Sequence, residues 1–364
     1  MRRAPDERPA RRVARPTRGA PASSAQLERM IEEDLDDVER ALVYGDWLSS
    51  QGDPRGEVIA AQCAAEGLPR SSRQAKLAEA LLDEHRAALL GPLSRLHGAG
   101  PRRAFRWRSG FIERARLDRR SARPTLSDLV RSFLQLPSAR FVRHLTLGSA
   151  GHGSDRPGYG PTFEVLRELA PRTLRSLHVA EPATDVGDVG GLFEQPLALR
   201  RLTLSGRRLW LGRGAPPSLT ELTIRFDDYG SVEGTLRGEL SFPQVRRLHL
   251  DLSSVSDEVL RELRREQLPA LEELSVVTGE APQALKWPLL EQLRALHLDF
   301  APDPEGSDAT HLLASAGALR HLERLALPAS CDVGAGGRAA FQSALPNLSL
   351  CERLEVDPFD QAPV

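Results

Sequence analysis

Residues 174–179 read LRSLHV, residues 219–224 read LTELTI and residues 271–276 read LEELSV. The three segments share the template L-x-x-L-x-L, in which Val, Ile or Cys also occupies the apolar positions. The second apolar residue of this template recurs nine times, at Leu145, Leu177, Leu202, Leu222, Leu248, Leu274, Leu296, Leu325 and Leu354. A degenerate tenth copy covers residues 112–117. The mean interval between copies is about 26 residues, which is the period of a structural repeat.

Each copy of the template predicts one short strand. Side chains alternate between the two faces of a strand, so the second and third apolar residues of each copy point inward and stack on neighbouring copies. The segments between copies carry apolar residues at helical spacing, as at Phe163, Leu166 and Leu169. We therefore predict an α/β fold, a curved solenoid with a parallel sheet on its concave side. About nine or ten strands should run from near Ile112 to near Val356.

The beginning of the chain is organised differently. Residues 1–23 hold seven arginines and four prolines without apolar periodicity, which predicts a disordered tail. We favour a solvated leader over an arm that contacts phosphates or an acidic partner. Residues 24–97 carry apolar residues at helical spacing and predict a small all-α domain, in which Asp53-Pro54 begins the third helix. Residues 98–364 then form the solenoid, capped by an N-terminal hairpin.

Part of the helical region resembles a known bacterial module. Residues 43–48 (VYGDWL) and 51–57 (QGDPRGE), with Ile59 and Gln62, are similar to the repeat-companion domain. That domain is a short N-terminal module of unknown biochemical role that accompanies leucine-rich-repeat-like proteins. The resemblance implies such a repeat region downstream, and it implies no catalytic residue.

The repeat itself departs from the commonest leucine-rich repeat. Its period lies within the range of roughly 20–29 residues known for that class. However, the asparagine or cysteine that usually follows each strand is replaced, for example by Ala150, Pro182 and Arg207. We therefore expect other groups to hold the turns.

Composition excludes several classes of protein. The formal charge is −1, from 49 basic and 50 acidic residues, so the whole chain has no field that attracts nucleic acid or an anionic membrane. The three cysteines lack C-x-x-C spacing, which argues against a disulfide framework or a zinc knuckle. No segment reaches the roughly 18 apolar residues of a membrane span, and no signal peptide is recognisable. We expect a cytoplasmic protein without membrane contact.

The outward side chains of the predicted sheet form the main candidate binding surface. They include seven basic and seven acidic residues, and Val277 is the one large aliphatic residue among them. Such a face favours a polar protein surface or a charged peptide over a lipid. We predict a contiguous partner-binding patch in the third to fifth full copies, and its members are Arg201, Glu221, Arg225, Arg247, His249 and Asp251. The alternative is that these charges only keep the sheet surface solvated.

A second candidate surface lies in residues 98–123, which hold nine arginines and two acids. Four of these arginines alternate with Phe105 and Trp107, and they are Arg102, Arg103, Arg106 and Arg108. This alternation is found in nucleic-acid stacking surfaces. It is also typical of a strand, and Ser109-Gly110 fits a two-residue hairpin turn before Phe111. We favour the hairpin and expect nucleic-acid or phosphate binding to be the less favoured function.

Metal and catalytic sites are not predicted. His178, His249 and His297 fall in one outward column, but His249 and His297 are two copies and about 10 Å apart, too far to share one zinc ion. No nucleophile, metalloprotease or phosphate-loop motif occurs. We therefore expect a non-catalytic scaffold without a cofactor, and an enzyme is the third choice.

Three smaller features each have a structural interpretation that we favour. The glycine-rich residues 148–160 predict an insertion loop rather than a phosphate site. Cys63 and Cys351 are expected to be packing residues. Asp46-Trp47 and residues 53–57 could form a peptide-docking corner, but we favour a core tryptophan, a helix cap at Asp53, and Arg55 and Glu57 solvated or paired internally.

Overall fold

The protein has a mixed α/β fold with a large, mostly parallel sheet. The structure, a computed structural model, describes residues 23–96, 104–119, 124–150, 158–194, 197–212, 216–226, 241–253, 260–279, 285–300, 314–327, 343 and 349–351. The helices are α1 (Ser24–Glu33), α2 (Val38–Ser50), α3 (Arg55–Ala65), α4 (Arg73–Glu84), α5 (Arg86–Leu90), α6 (Leu93–Leu96), α7 (Leu126–Leu134), α8 (Gly160–Leu169) and α9 (Ala316–Leu319). Short 3-10 helices cover Pro137–Ala139, Gly190–Glu194 and Leu290–Gln292.

The strands follow one another across a single sheet. They are β1 (Phe105–Arg108), β2 (Phe111–Leu117), β3 (His144–Leu147), β4 (Ser176–Asp188), β5 (Arg201–Trp210), β6 (Glu221–Phe226), β7 (Arg247–Leu252), β8 (Glu273–Thr278), β9 (Ala295–Phe300), β10 (Arg324–Ala326) and β11 (Ser349–Cys351). Their spatial order is the chain order from β1 to β11. The β1–β2 pair is antiparallel and the other pairs are parallel.

The template leucines align across the sheet as the sequence predicts. Leu177 pairs with Leu202, Leu202 with Leu222, and the same register continues through Leu248 and Leu274. These five side chains are at most 4% exposed. A parallel sheet buried on one face therefore begins at β2, close to the predicted Ile112.

Two strands and the last copy differ from the template. β4 and β5 extend well beyond six residues, because their pairing resumes at Asp185 and Arg207 after an irregularity, and the extension buries Val186. At the other end, β11 pairs Leu350 with Leu325, whereas the template placed this strand at Leu354. Leu354 lies outside the described residues.

Neighbouring copies are joined by the same backbone contacts at the start of each strand. The carbonyl of Arg200, for example, accepts from the amides of Thr220 and Glu221 at 2.9 Å each, and the carbonyl of Arg246 accepts from Glu272 and Glu273 in the same way. Two hydrogen bonds thus fix where each strand begins relative to the preceding one.

Polar side chains just before several strands bond the backbone of the preceding copy. The hydroxyl of Thr173 donates to the carbonyl of Val142 at 3.0 Å, and that of Ser218 donates to Leu199 at 2.8 Å. The Gln292 amide donates to the carbonyl of Leu268 at 2.8 Å. Each bond satisfies a backbone group of the previous copy, so adjacent copies are tied together without an asparagine.

The core has two parts. The larger cluster joins the inward strand residues to α7 and α8, through Phe133 and Phe163 for example. The smaller cluster belongs to α1, α2 and α3, but it is completed by Phe111 of β2 and by Phe141. The helical region and strand β2 therefore share a core.

The helix ends follow the local chemistry of the sequence. Asp37 accepts from the amides of Glu39 and Arg40 and begins α2, and Gly52, with φ of +73°, follows its end. The Asp53 carboxylate accepts from the amide of Arg55 at 2.9 Å, as its predicted role at the start of the third helix requires. Within the described ranges, no helix has both the length and the apolar character that crossing a bilayer needs.

Candidate functional site

The six predicted partner-binding residues lie together on three neighbouring strands. Strand pairing sets Arg201 beside Glu221 and Glu221 beside Arg247, and in the third outward column it sets Arg225 beside Asp251. Neighbouring strands are about 4.8 Å apart, so the patch spans roughly 10 Å. We call the surface formed by the outward residues of β2 to β10 the polar face. The structure brings the predicted patch together on this face, and its binding role stays a prediction.

The charges of this patch are largely paired with one another. Arg201 Nε lies 2.6 Å from Glu221 Oε2, and Arg247 contacts the other oxygen of the same carboxylate. The Arg225 and Asp251 side chains are 3.9 Å apart at their closest atoms. Because the Arg247 and Arg225 side chains remain 56% and 60% exposed, they are the groups of the patch best able to reach a partner.

A hydrogen-bonded His–Ser–His chain crosses the central column. Ser275 Oγ lies 2.8 Å from His249 Nδ1 and 3.1 Å from His297 Nδ1. The hydroxyl has one proton to donate, so one imidazole accepts it while the other donates to the hydroxyl oxygen. Ser275 thus stands between the two histidines that the sequence had placed two copies apart.

Metal binding by the outward histidines finds no geometric support. Within the described residues, no group of three or more His, Cys, Asp or Glu side chains is arranged to hold a metal ion. His178 lies on β4, paired in register with Thr146 and Thr203. Asp251, two residues from His249, accepts from the amide and the hydroxyl of Ser253 at 3.2 and 2.7 Å.

His144 occupies the first outward column on β3, in a basic environment. Burial, and after it the positive charges of Arg114, Arg201, Arg143 and Arg106, together lower the pKa of His144 to about 4. The imidazole is therefore neutral at physiological pH. A single sequence does not indicate this, because Arg106, Arg114 and Arg201 come from other strands.

Acid is expected to destabilise the fold through His144. The pKa of this imidazole is about 4 in the folded protein and near 6.5 in the unfolded chain, so between these values the unfolded chain binds a proton that the folded chain does not. The stability contributed by neutral His144 is thus complete above about pH 6.5 and is lost as the pH falls toward 4. Urea unfolding at several pH values should show a weaker pH dependence in His144→Asn than in the natural chain. Equal slopes in both would contradict this role.

The basic segment before β2 forms the predicted hairpin. β1 and β2 pair through Arg108 and Phe111, and the turn between them has Ser109 at φ 46° and Gly110 at φ 75°. Phe105 is buried as expected, and Trp107 packs partly buried against the main core. Arg102 and Arg103 lie outside the described residues.

Both described hairpin arginines, Arg106 and Arg108, lie near carboxylates. Arg108 contacts Asp36, and its second nitrogen lies 3.1 Å from Glu66. Arg106 lies 3.5 Å from Glu113. The acids that contact Arg108 come from the helical region, which packs against the hairpin. This compensation weakens the case for a nucleic-acid surface here.

A cleft of about 490 Å³ separates the hairpin from α3 and α4. Its walls mix both charge signs with apolar side chains, and they include Gln62, Glu66, Glu79, Leu82, Arg106, Trp107 and Glu113. Mixed charges and apolar groups in one cleft do not single out one class of ligand.

The motif residues that carry the family resemblance build contacts inside the protein. Tyr44 stacks between Trp47 and Phe111, with ring centroids 5.8 and 5.9 Å away. The Gln62 side chain accepts from the amide of Gly110 at 2.7 Å. Arg55 pairs with Asp53 and lies 5.8 Å above the Phe111 ring. These contacts favour the structural interpretation of residues 43–62 over a peptide-docking corner.

The remaining sequence candidates are placed as follows. The Tyr159 hydroxyl donates to the carbonyl of Gly148 at 2.7 Å and draws together the ends of the 148–160 segment, of which residues 151–157 lie outside the described ranges. Cys63 is half-buried, and burial raises the pKa of its thiol, which disfavours a nucleophile. Cys351 lies on β11 and pairs in register with Ala326.

Comparison with known proteins gives no family. Neither a scan against protein-family models nor a search of curated proteins finds a match for this chain. The resemblance to the repeat-companion module therefore stays a prediction, and function has to be argued from the geometry of the polar face.

Proposed function

We propose that this protein is a non-catalytic interaction module that binds a polar protein surface or a charged peptide on its polar face. One observation supports this proposal most strongly. The template leucines stack in register on one face of the sheet, so charged and hydroxyl side chains stack in register on the other. Regular rows of partly exposed polar groups on a rigid sheet are suited to a protein partner, because both charge signs are available for pairing.

We further propose that residues 98–364 form a leucine-rich-repeat-like solenoid preceded by a helical domain at residues 24–97. The sequential strand order and the repeated backbone contacts at each strand start support this arrangement. The cysteine pattern supports a reducing cytoplasm as its location. Binding of nucleic acid by Arg106 and Arg108 is disfavoured by their carboxylate partners.

Charge reversal at Arg201 and Arg247 is expected to weaken the complex at least about tenfold. The partner would first be identified by affinity purification from the native host and mass spectrometry, and its affinity then measured by calorimetry. Because both arginines pair with Glu221, the double variant R201E/R247E also leaves that carboxylate beside two like charges.

A triple variant separates binding from folding. R201E/E221R/R247E inverts the presented charges while keeping opposite charges adjacent, so its melting temperature should stay close to that of the natural chain although binding is lost. Reversal of Arg265 and Arg320, which are exposed in connecting segments, is the matched control. Full affinity in the triple variant would place the binding site elsewhere, most simply in the 148–160 segment or the helical region.

A further inference from the structure

Three arginines occupy one equivalent position, immediately before β3, β4 and β5. Arg143, Arg175 and Arg200 follow each other in adjacent strands, since the Arg175 amide donates to the Arg143 carbonyl and the Arg200 amide to the Arg175 carbonyl, both at 2.8 Å. With about 4.8 Å between neighbouring strands, the backbone positions span roughly 10 Å. We call these three residues the basic row.

The basic row has little negative charge around it. Arg143 binds Asp36, with nitrogen–oxygen distances of 3.0 and 3.3 Å. The Arg175 guanidinium donates to the carbonyls of Arg172 and Ala198, at 3.2 Å each. Arg200 is exposed. In the part of the chain that the structure describes, neither Arg175 nor Arg200 has an ion pair with a carboxylate.

The pKa shifts of neighbouring groups reflect this excess of positive charge. Burial lowers the pKa of Arg175, and the charges of Arg200 and Arg143 lower it further. His144, next to Arg143, is held neutral by burial and by four arginines, among them Arg143 itself. Adding an anion here would relieve repulsion between like charges.

The same position on later strands does not carry this excess. Before β7, β8, β9 and β10 it is occupied alternately by a base and an acid, and these residues are Arg246, Glu272, Arg294 and Glu323. Arg246 lies 3.7 Å from Glu272. The uncompensated charge is therefore a property of the first strands and not of the repeat in general.

We propose that the basic row binds an acidic segment of a partner protein, with its carboxylates opposite the guanidiniums of Arg175 and Arg200. This inference rests on the proposed function and names the chemistry of the partner. Guanidinium groups pair with carboxylates in a bidentate geometry, and the row offers several within the reach of a short acidic run. A nucleic-acid strand fits less well, because the exposed aromatic residue on the described parts of β2 to β5, Trp210, is at the opposite end of β5 from Arg200 and not beside the basic row, where bases would have to stack.

Fluorescence anisotropy with labelled peptides tests this surface directly. Hexaglutamate should bind the full-length protein in a salt-sensitive way, and hexalysine should not. R200E should weaken hexaglutamate binding about fivefold, and the double variant R175Q/R200E should weaken it further. R246E changes the equivalent position beside Glu272 and should leave the affinity within about twofold.

The imidazole of His144 provides a second readout. Saturation with hexaglutamate should raise the pKa of His144, observed by NMR, because bound carboxylates offset the arginine charges around it. A melting-temperature comparison of R200E with R246E shows whether either variant is misfolded.

Three results would overturn the inference. They are no hexaglutamate binding at low salt, equal losses in R200E and R246E, and tighter R200-dependent binding of a single-stranded oligonucleotide than of hexaglutamate. If hexaglutamate does not bind while the affinity of a purified partner still depends on Arg201 and Arg247, only this inference is wrong. If hexaglutamate binds as expected but the affinity of that partner does not change in the triple variant R201E/E221R/R247E, the predicted patch is not the binding site. The inference about the basic row then still stands.

Discussion

Replacing Phe111 by alanine is expected to lower the free energy of unfolding by about 3–5 kcal/mol, the range found for truncating a buried phenylalanine. Phe111 is 5% exposed on β2, yet it completes the core of α1 to α3. Its ring stacks on Tyr44 and meets the edge of Phe141 at a centroid distance of 4.7 Å. The substitution removes packing on both sides of the junction between helices and sheet.

Chemical denaturation followed by circular dichroism measures this loss. Leu77→Ala on α4 is the matched control, because Leu77 is 54% exposed and its truncation should cost little. A loss in Phe111→Ala no larger than in the control would contradict the shared core. If tryptophan fluorescence and circular dichroism then change at different denaturant concentrations, unfolding of the variant is no longer a single cooperative step.

The sequence predicts the sheet well because its signal is local and repeated. Six residues of the template determine which side chains are buried, and nine copies average out local irregularity. The register from Leu177 to Leu274 follows directly, since a shift by one residue would expose the entire apolar set. The hairpin at Ser109-Gly110 is likewise predictable, because its turn chemistry is contained in two residues.

The contacts that define the candidate site depend on groups far apart in the chain. Asp36 binds Arg108 and Arg143, which lie 72 and 107 residues away in sequence. No local pattern links these residues, so the sequence indicated an exposed basic segment where the structure has ion pairs. Ser275 was missed for a similar reason, since its role appears only when β7, β8 and β9 are set side by side.

The pairing of Arg201, Glu221 and Arg247 changes how the predicted patch would act. A partner that approaches this surface meets groups that already pair with one another, so each new ion pair adds little net affinity, whereas a reversed charge adds repulsion and weakens the complex. The basic row differs, because Arg175 and Arg200 gain carboxylates that they lack among the described residues. We therefore expect the ion-paired patch to provide shape and register, and the basic row to provide most of the electrostatic attraction.

Replacing Leu248 by alanine is expected to cost about 2–5 kcal/mol and to do so locally. Leu248 is 4% exposed in the middle of the sheet, between Leu222 and Leu274 of the neighbouring strands. In a solenoid each copy contacts only its neighbours, so the cavity should weaken β6, β7 and β8 more than the strands at either end. Hydrogen exchange with mass spectrometry locates the loss.

The pattern of hydrogen exchange along the sheet distinguishes stacked repeats from a single cooperative domain. A loss of protection that declines with distance from β7 in both directions is the behaviour of stacked repeats, whose stability is a sum of nearest-neighbour terms. An equal loss in every described strand, from β2 to β10, would contradict the proposed solenoid and indicate a single cooperative domain. Leu68→Ala, at a residue that is 44% exposed, should leave the exchange of the sheet unchanged and controls for the substitution itself. Leu248 lies between Arg247 and His249 in the sequence of β7. A local loss of stability would therefore also loosen the candidate patch, so partner affinity should fall together with the hydrogen-exchange protection of β7.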